Sequence, residues 1–199
     1  MKLDFESPHL CADPWGYTSS WYEQRRRQLT AALLPHQDLG EVLEIGCSIG
    51  LITALLAPRA RRFVAVDIST AALEKARETT AAFAHVELVH APITEAFTHQ
   101  LVGARFDTVL LCDVGYYLQE ADLFKLANGI RQCLKAPATV MLAHWRHKFD
   151  AQLTSTARVH ELLQQELGLH VQICYQDKDL LVHVLSDTDI SLAQKEGLA

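Results

Sequence analysis

The sequence has no apolar stretch near the roughly 18 residues that a bilayer-spanning helix needs. Its first residues, Met1-Lys-Leu-Asp-Phe-Glu-Ser-Pro, lack the apolar core of a secretory leader. It has no Cys-x-x-Cys pair. The five cysteines (11, 47, 112, 133 and 174) are odd in number and scattered, which argues against a disulfide framework or zinc site and for reduced core thiols in a cytoplasmic protein. A broad basic surface is missing too. The net charge is −6, and the one dense basic run, Arg25-Arg26-Arg27, lies beside Glu23 and reads as a solvated helix face, so nucleic acid is not an expected partner. Internal repeats and low-complexity segments are absent. What remains is 199 residues of ordinary globular composition, enough for one sizeable core.

Hydrophobic periodicity divides that chain into alternating strands and helices. Residues 1–40 read as a lead-in and a helix from Trp21 to Leu34, capped by Ser19 or Ser20, with Leu29, Leu33 and Leu34 on its apolar side. Residues 41–186 read as the core. Its strands are expected near 41–45, 62–67, 86–90, 106–112 and 138–144, with helices after Gly50, after Ser69, over 121–134, and from Thr154 or Ser155 to a Gly168 cap. A hairpin over 169–185 turns at Gln176-Asp-Lys-Asp179 and adds one antiparallel strand. Residues 187–199 read as a polar, partly disordered tail. The alternation implies an α/β protein with a mostly parallel sheet and helices on both faces. Ligands of such sheets lie outside the carboxyl ends of the strands, near the point where strand order reverses.

One stretch sits at such an end. Val42-Leu-Glu-Ile-Gly-Cys-Ser-Ile-Gly-Leu-Ile-Thr53 passes from an apolar strand through Gly46 and Gly50 into a helix. Glycine lets the chain turn sharply and lets a ligand approach. Asp67 ends the next strand about 20 residues after Gly46, where a carboxylate accepts hydrogen bonds from ribose hydroxyls. The ligand is therefore a dinucleotide or S-adenosylmethionine. A pyrophosphate loop wants G-x-G-x-x-G, whereas the middle position here is Ser48, and Glu44 would repel phosphate. The balance favours S-adenosylmethionine, with its ammonium and sulfonium groups.

Glu44-Ile-Gly-Cys-Ser-Ile-Gly50, Val66-Asp-Ile-Ser69 and Cys112-Asp-Val-Gly-Tyr-Tyr-Leu118 resemble the class I methyltransferases. With Asp13-Pro-Trp-Gly-Tyr-Thr-Ser-Ser-Trp-Tyr-Glu-Gln-Arg25 and Ala143-His-Trp-Arg-His147, the chain resembles the nodulation-protein-S-like branch over about residues 13–185. The namesake of that branch N-methylates the amino group of a chitin-oligosaccharide precursor. The resemblance implies a Rossmann-like, seven-stranded sheet with a reversed last strand. It also implies that Gly46, Cys47 and Gly50 hold the methionine end of the cofactor, that Ile68 and Ala91-Pro92-Ile93 meet the adenine, and that Trp15, Tyr22 and Arg26 form a lid. Asp113, which the family often has as glutamate, would orient an acceptor amine and take its proton. Tyr116 and Tyr117 would line the pocket, and His144, at the next strand end, is a second proton acceptor. His144 and His147 would face opposite sides of a strand, so no metal site is expected. The expected activity is methylation of a small-molecule acceptor, an amine first. An O- or S-methyltransferase, a dinucleotide oxidoreductase and a cofactor-binding protein without turnover are the competing readings.

Overall fold

In the computed structural model, which describes residues 4–199, every strand alternates with helix until the closing hairpin. The order is α1 (Trp21–Leu33), β1 (Gly40–Ile45), α2 (Leu51–Leu56), β2 (Ala60–Asp67), α3 (Thr70–Thr79), β3 (Val86–His90) and α4 (Ile93–Ala96). It continues with β4 (Phe106–Cys112), α5 (Glu120–Cys133), β5 (Leu134–Trp145), α6 (Thr156–Leu167), β6 (His170–Gln176), β7 (Leu180–Ser186) and α7 (Leu192–Lys195). The seven strands lie in the order β3-β2-β1-β4-β5-β7-β6, and only β7 runs against the others. Strand order reverses between β1 and β4, so the carboxyl ends of these two flank the crevice where a ligand is expected.

The central strands are largely apolar because both faces are covered. Leu43, Ile45, Val109, Leu111, Val140 and Leu142 pack under α5 and α6, through Leu123, Leu126, Ile130, Val159 and Leu163. The alternate residues Val42, Phe63, Leu110, Met141 and Val182 pack under Leu34, Ile52, Leu56 and Leu73. The helix starts are capped as their sequences require. The hydroxyls of Ser20, Ser69 and Ser155 accept from the backbone N–H groups of Glu23, Ala72 and Arg158.

Four expectations need correction. The face that α1 turns inward carries Arg26 and Thr30 beside the expected leucines, of which Leu34 is buried and Leu29 and Leu33 pack partly covered against the core. β5 starts at Leu134 rather than Ala138. Its first residues carry Pro137 in an irregular stretch where the pairing with β4 jumps from Phe106↔Leu134 to Thr108↔Thr139, a place where a strand tolerates proline. The tail contains a short helix, α7, whose Ser191 and Gln194 form a reciprocal capping box. Finally, Cys47, Cys112 and Cys133 are buried, but Cys11 in the lead-in and Cys174 on the edge strand β6 are exposed. Among the described residues no helix is long and apolar enough to cross a membrane.

Candidate active site

The turn after β1 is built from three consecutive constraints. Gly46 has φ 74°, and a Cβ there would stand 2.0 Å from Val114 Cγ2, so the loop after β4 presses directly on it. Gly46 and Cys47 both donate their N–H groups to the Val66 carbonyl at the end of β2. Ser48 is also left-handed, with φ 50°, and its N–H donates to Asp67 Oδ2 at 2.8 Å. The other oxygen, Oδ1, accepts from Ser69 N–H at 2.9 Å. Asp67 therefore ties the glycine turn to the start of α3. One lone pair on each oxygen is still available, the pair that two ribose hydroxyls would use.

Around this turn lies a cavity of about 950 Å³. Gly46, Cys47, Asp67, Ile68, Ala91, Pro92 and Ile93 form one end, with Glu44 at the floor. Asp113, Tyr116, Tyr117, Trp145 and Phe149 form the other, and α1 roofs it with Tyr22, Glu23 and Arg26. Of the residues singled out from sequence, all but two line this cavity. Gly50 caps α2 from behind the loop, with its α-carbon hydrogens turned toward Ala76 and Thr80. His144 is fully buried on the far side of β5.

His144 is therefore not an acceptor-facing base. Its Nε2 accepts from Gly115 N–H at 3.1 Å, which leaves the hydrogen on Nδ1, donated to His160 Nε2 at 2.9 Å. Burial holds its pKa down to about 4. It is a neutral strut that fixes the Gly115–Tyr117 turn, where a Cβ on Gly115 would meet Val159 at 2.5 Å.

Asp113 is placed at the mouth as expected but is already engaged. It has φ 55°, which swings its carboxylate back over β5 so that Oδ1 accepts Trp145 N–H at 2.8 Å. Oδ2 lies 2.5 Å from Arg26 Nη1. Arg26 is 5% exposed and is also held by Glu23, at 3.1 and 2.7 Å. Burial alone would lower the Arg26 pKa; the carboxylates of Asp113 and Glu23 outweigh it and raise it. Arg26 thus fastens α1 to β4 with two anions of its own chain, rather than waiting free for a cofactor carboxylate. Both Asp113 oxygens are thus engaged within the chain, Oδ1 by Trp145 N–H and Oδ2 by Arg26.

Two other roof residues are less committed. Tyr22 Oη is buried, lies on the cavity wall and has no hydrogen-bond partner among the described residues. Burial and then the negative charge of Asp113 raise its pKa, so it is a neutral phenol with a hydrogen to donate. Trp15, half exposed, stacks edge-on against His9 at 5.1 Å. Tyr116 is 4% exposed and Tyr117 faces Phe5 edge-on at 5.2 Å, so the lead-in reaches across to the β4 loop.

Sequence reasoning missed His9. Its Nδ1 lies 2.7 Å from the Phe5 carbonyl, which can only accept, so Nδ1 carries the hydrogen and Nε2 accepts from Ser48 Oγ at 2.8 Å. The serine that breaks the glycine pattern is thus the anchor for the lead-in. Glu6 adds a second tie by accepting Ala71 N–H at 2.9 Å. Nothing local in the sequence announces a contact between positions 9 and 48.

Glu44 differs from its expected charge. It is 2% exposed, and burial pushes its pKa to about 8, against the Thr53 hydroxyl 2.5 Å away. Burial thus favours its protonated form near pH 7, which weakens the repulsion of a phosphate expected from its charge. Burial also raises the Cys47 thiol well above its usual value, with Glu44 and Asp67 adding to it, so Cys47 is a packing residue and not a nucleophile.

The Glu44 shift has a measurable consequence. Between its ordinary value of 4.5 and about 8 the folded chain keeps a proton that the unfolded chain has lost, so stability falls as pH rises through that window. His144 acts the other way but only below its ordinary value of 6.5, where the unfolded chain takes up a proton the folded one refuses. From pH 6.5 to 8 the Glu44 effect stands alone of these two. Chemical denaturation of wild type should lose about 2 kcal/mol over that span relative to Glu44→Gln. A difference below a quarter of that would show that Glu44 is ionised at neutral pH.

The relatives of this chain agree with the geometry. A family model described as Nodulation protein S (NodS) matches residues 5–167. Nodulation protein S of Azorhizobium caulinodans is 30% identical over 178 residues, covering 81% of this chain and 83% of the relative. Nodulation protein S of Sinorhizobium fredii is 26% identical over 180 residues, covering 85% of this chain and 81% of the relative. Among solved structures, the N-methyltransferase NodS from Bradyrhizobium japonicum WM9 in complex with S-adenosyl-L-homocysteine shares the fold. Its TM-score is 0.79 at 19% identity, over 92% of this chain and 96% of that one.

Proposed function

The chain belongs to the nodulation protein S (NodS) family and is an S-adenosylmethionine-dependent methyltransferase, and from that premise we propose that its acceptor is a small amine. The observation that carries this reading is the charge of the cavity wall. Glu23, Asp67, Asp113, Asp122 and Asp179 face Arg26 and Arg27, so the wall carries an excess of negative charge even with Glu44 neutral. Such a wall attracts an ammonium and opposes a carboxylate or phosphate acceptor.

Bound S-adenosylmethionine supplies a methyl group activated by its sulfonium. The protein contributes position and dryness. The unused lone pairs of Asp67 suit the ribose hydroxyls, Ile68 and Ala91-Pro92-Ile93 suit the adenine, and the glycine turn suits the methionine chain. The Tyr22 hydroxyl, buried and without a partner among the described residues, offers a donor to a polar atom of whatever binds beneath it. Asp113 orients the acceptor while staying paired with Arg26. Tyr116 and Tyr117, with Phe149 edge-on at 4.9 and 5.5 Å, wall off water on the acceptor side. The same reading places the enzyme in the cytoplasm, where its five unpaired cysteines would stay reduced.

The test is S-adenosylhomocysteine production with matched probes: glucosamine and phenethylamine as amines, catechol as a hydroxyl acceptor, and 2-mercaptoethanol as a thiol. The amines are expected to be methylated at least tenfold faster than the other two. Faster transfer to oxygen or sulfur would replace the amine with that acceptor class. Tight S-adenosylhomocysteine binding with no transfer to any probe would mark a cofactor-binding protein without turnover.

A further inference from the structure

We infer that His147, oriented by Asp179, is the residue that takes the proton from the acceptor nucleophile. This rests on the methyl-transfer reading above. An ammonium has no lone pair, so an amine must lose a proton before it can accept a methyl group. The two residues first suited to that task do not perform it: Asp113 is held by Arg26 and Trp145 N–H, and His144 is sealed behind β5.

His147 stands on the cavity wall two residues past the end of β5, half exposed, with its ring 5.0 Å from that of Trp145. Its Nε2 lies 2.7 Å from Asp179 Oδ1. A carboxylate only accepts, so the hydrogen of neutral His147 sits on Nε2 and Nδ1 keeps its lone pair. This is the geometry of a base held in one tautomer by a carboxylate.

Asp179 is itself held in place. It belongs to the turn between β6 and β7, and because β7 runs antiparallel, with Leu180 opposite Trp145, that turn lies at the same sheet edge as the ends of β4 and β5. Asp177 Oδ1 accepts the N–H groups of Asp179 and Leu180, both at 2.8 Å, and its Oδ2 pairs with Arg25 of α1 at 3.2 Å. The Asp179 carbonyl accepts Arg146 N–H at 2.8 Å. The turn is therefore fixed to both α1 and the residue preceding His147.

The other charged groups around the dyad are already spoken for. From α1 and β4 come Glu23, Arg26 and Asp113, locked to one another. Asp122 of α5 pairs with Lys125 at 2.8 Å, and Arg146 turns away to the Asp177 carbonyl. The Tyr22 phenol lines the same cavity as Asp113, His147 and Asp179.

The step balances simply. The ammonium of the acceptor gives one proton to His147 Nδ1, forming imidazolium beside Asp179. The freed lone pair on nitrogen forms the new bond to the methyl carbon as the carbon–sulfur bond breaks, its electron pair remaining on sulfur as a thioether. The product leaves as a methylated ammonium, and the imidazolium returns its proton to solvent through its exposed edge.

The experiment compares wild type, His147→Asn, Asp179→Asn and Asp179→Glu, using glucosamine or phenethylamine, whichever is methylated faster. Calorimetry with S-adenosylhomocysteine serves as the folding and binding control and should agree within threefold across the set. His147→Asn is expected to lower kcat about 100-fold and to remove the acidic limb of the pH–rate profile. Asp179→Asn should move that limb to lower pH with a loss of about tenfold, and Asp179→Glu should restore it. Imidazole ¹⁵N shifts of the S-adenosylhomocysteine complex should place the His147 hydrogen on Nε2 in wild type and spread it over both nitrogens in Asp179→Asn. A His147→Asn variant that binds normally and keeps the wild-type acidic limb overturns the inference while leaving the methyltransferase reading intact. Absence of transfer by wild type to every probe overturns both.

Discussion

Asp67→Ala is expected to weaken S-adenosylhomocysteine binding by about 10²- to 10⁴-fold. The carboxylate stands to make two charge-assisted bonds to ribose hydroxyls, each worth about 1.5–3 kcal/mol. It also holds the Ser48 and Ser69 N–H groups, so its loss leaves one part-buried and one buried donor unsatisfied and frees the N–H of the left-handed Ser48. Asparagine is no gentle substitute. Each Asp67 oxygen accepts from a backbone N–H, so an amide NH₂ would face one of these donors head-on whichever way it turned. Asp67→Asn should therefore lose at least tenfold, against the small effect its size would suggest. Calorimetry reads both, and an alanine variant within threefold of wild type would remove Asp67 from the cofactor site.

The second large effect belongs to Arg26. Arg26→Ala should destabilise the fold by about 3–5 kcal/mol, because two carboxylates at the cavity roof lose their shared buried cation. For a chain of this length that corresponds to a melting temperature lower by roughly 6–20 °C. The triple change Arg26→Met, Glu23→Gln, Asp113→Asn should recover much of the stability at pH 7 without recovering activity, since it removes the uncompensated charge together with its partners. Thermal melts of the two variants and wild type at pH 7 make the comparison. A single Arg26→Ala variant as stable as wild type would mean that the clamp adds nothing to folding.

The contrast between these residues explains what could be read from the sequence. β3 and β4 were legible to the residue because both are short β-prone runs rich in Val, Leu and Phe between turn signals, and Asp67 was legible because it ends an apolar run at a fixed distance from a glycine turn. The lid helix was legible as a helix but not in all that it buries. Leu29, Leu33 and Leu34 do pack on the core, but the helix also buries Arg26 and Thr30, which a pattern that looks only for leucines does not find. Asp113 and His144 were placed at the correct strand ends, yet one carboxylate is consumed by an arginine from 87 positions earlier and one imidazole by a backbone N–H behind the strand. The His9–Ser48 and His147–Asp179 pairs join positions 39 and 32 apart. Such pairings are set by where the sheet brings its edges together, and no local periodicity encodes that.

The reversed strand also sets a timetable for synthesis. β6 is made before β7, yet β7 is its only neighbour in the sheet, and β7 alone covers the free side of β5. A nascent chain that has emerged through β6 can complete the β3-β2-β1-β4-β5 platform and close the glycine turn over Asp67. It still leaves the row of backbone groups on β5 open and β6 with nowhere to pair. Only when Leu180–Ser186 arrives can the hairpin enter as a unit and carry Asp179 to the mouth. Until then the β5 edge stays an uncovered row of backbone groups of the kind that other chains pair with.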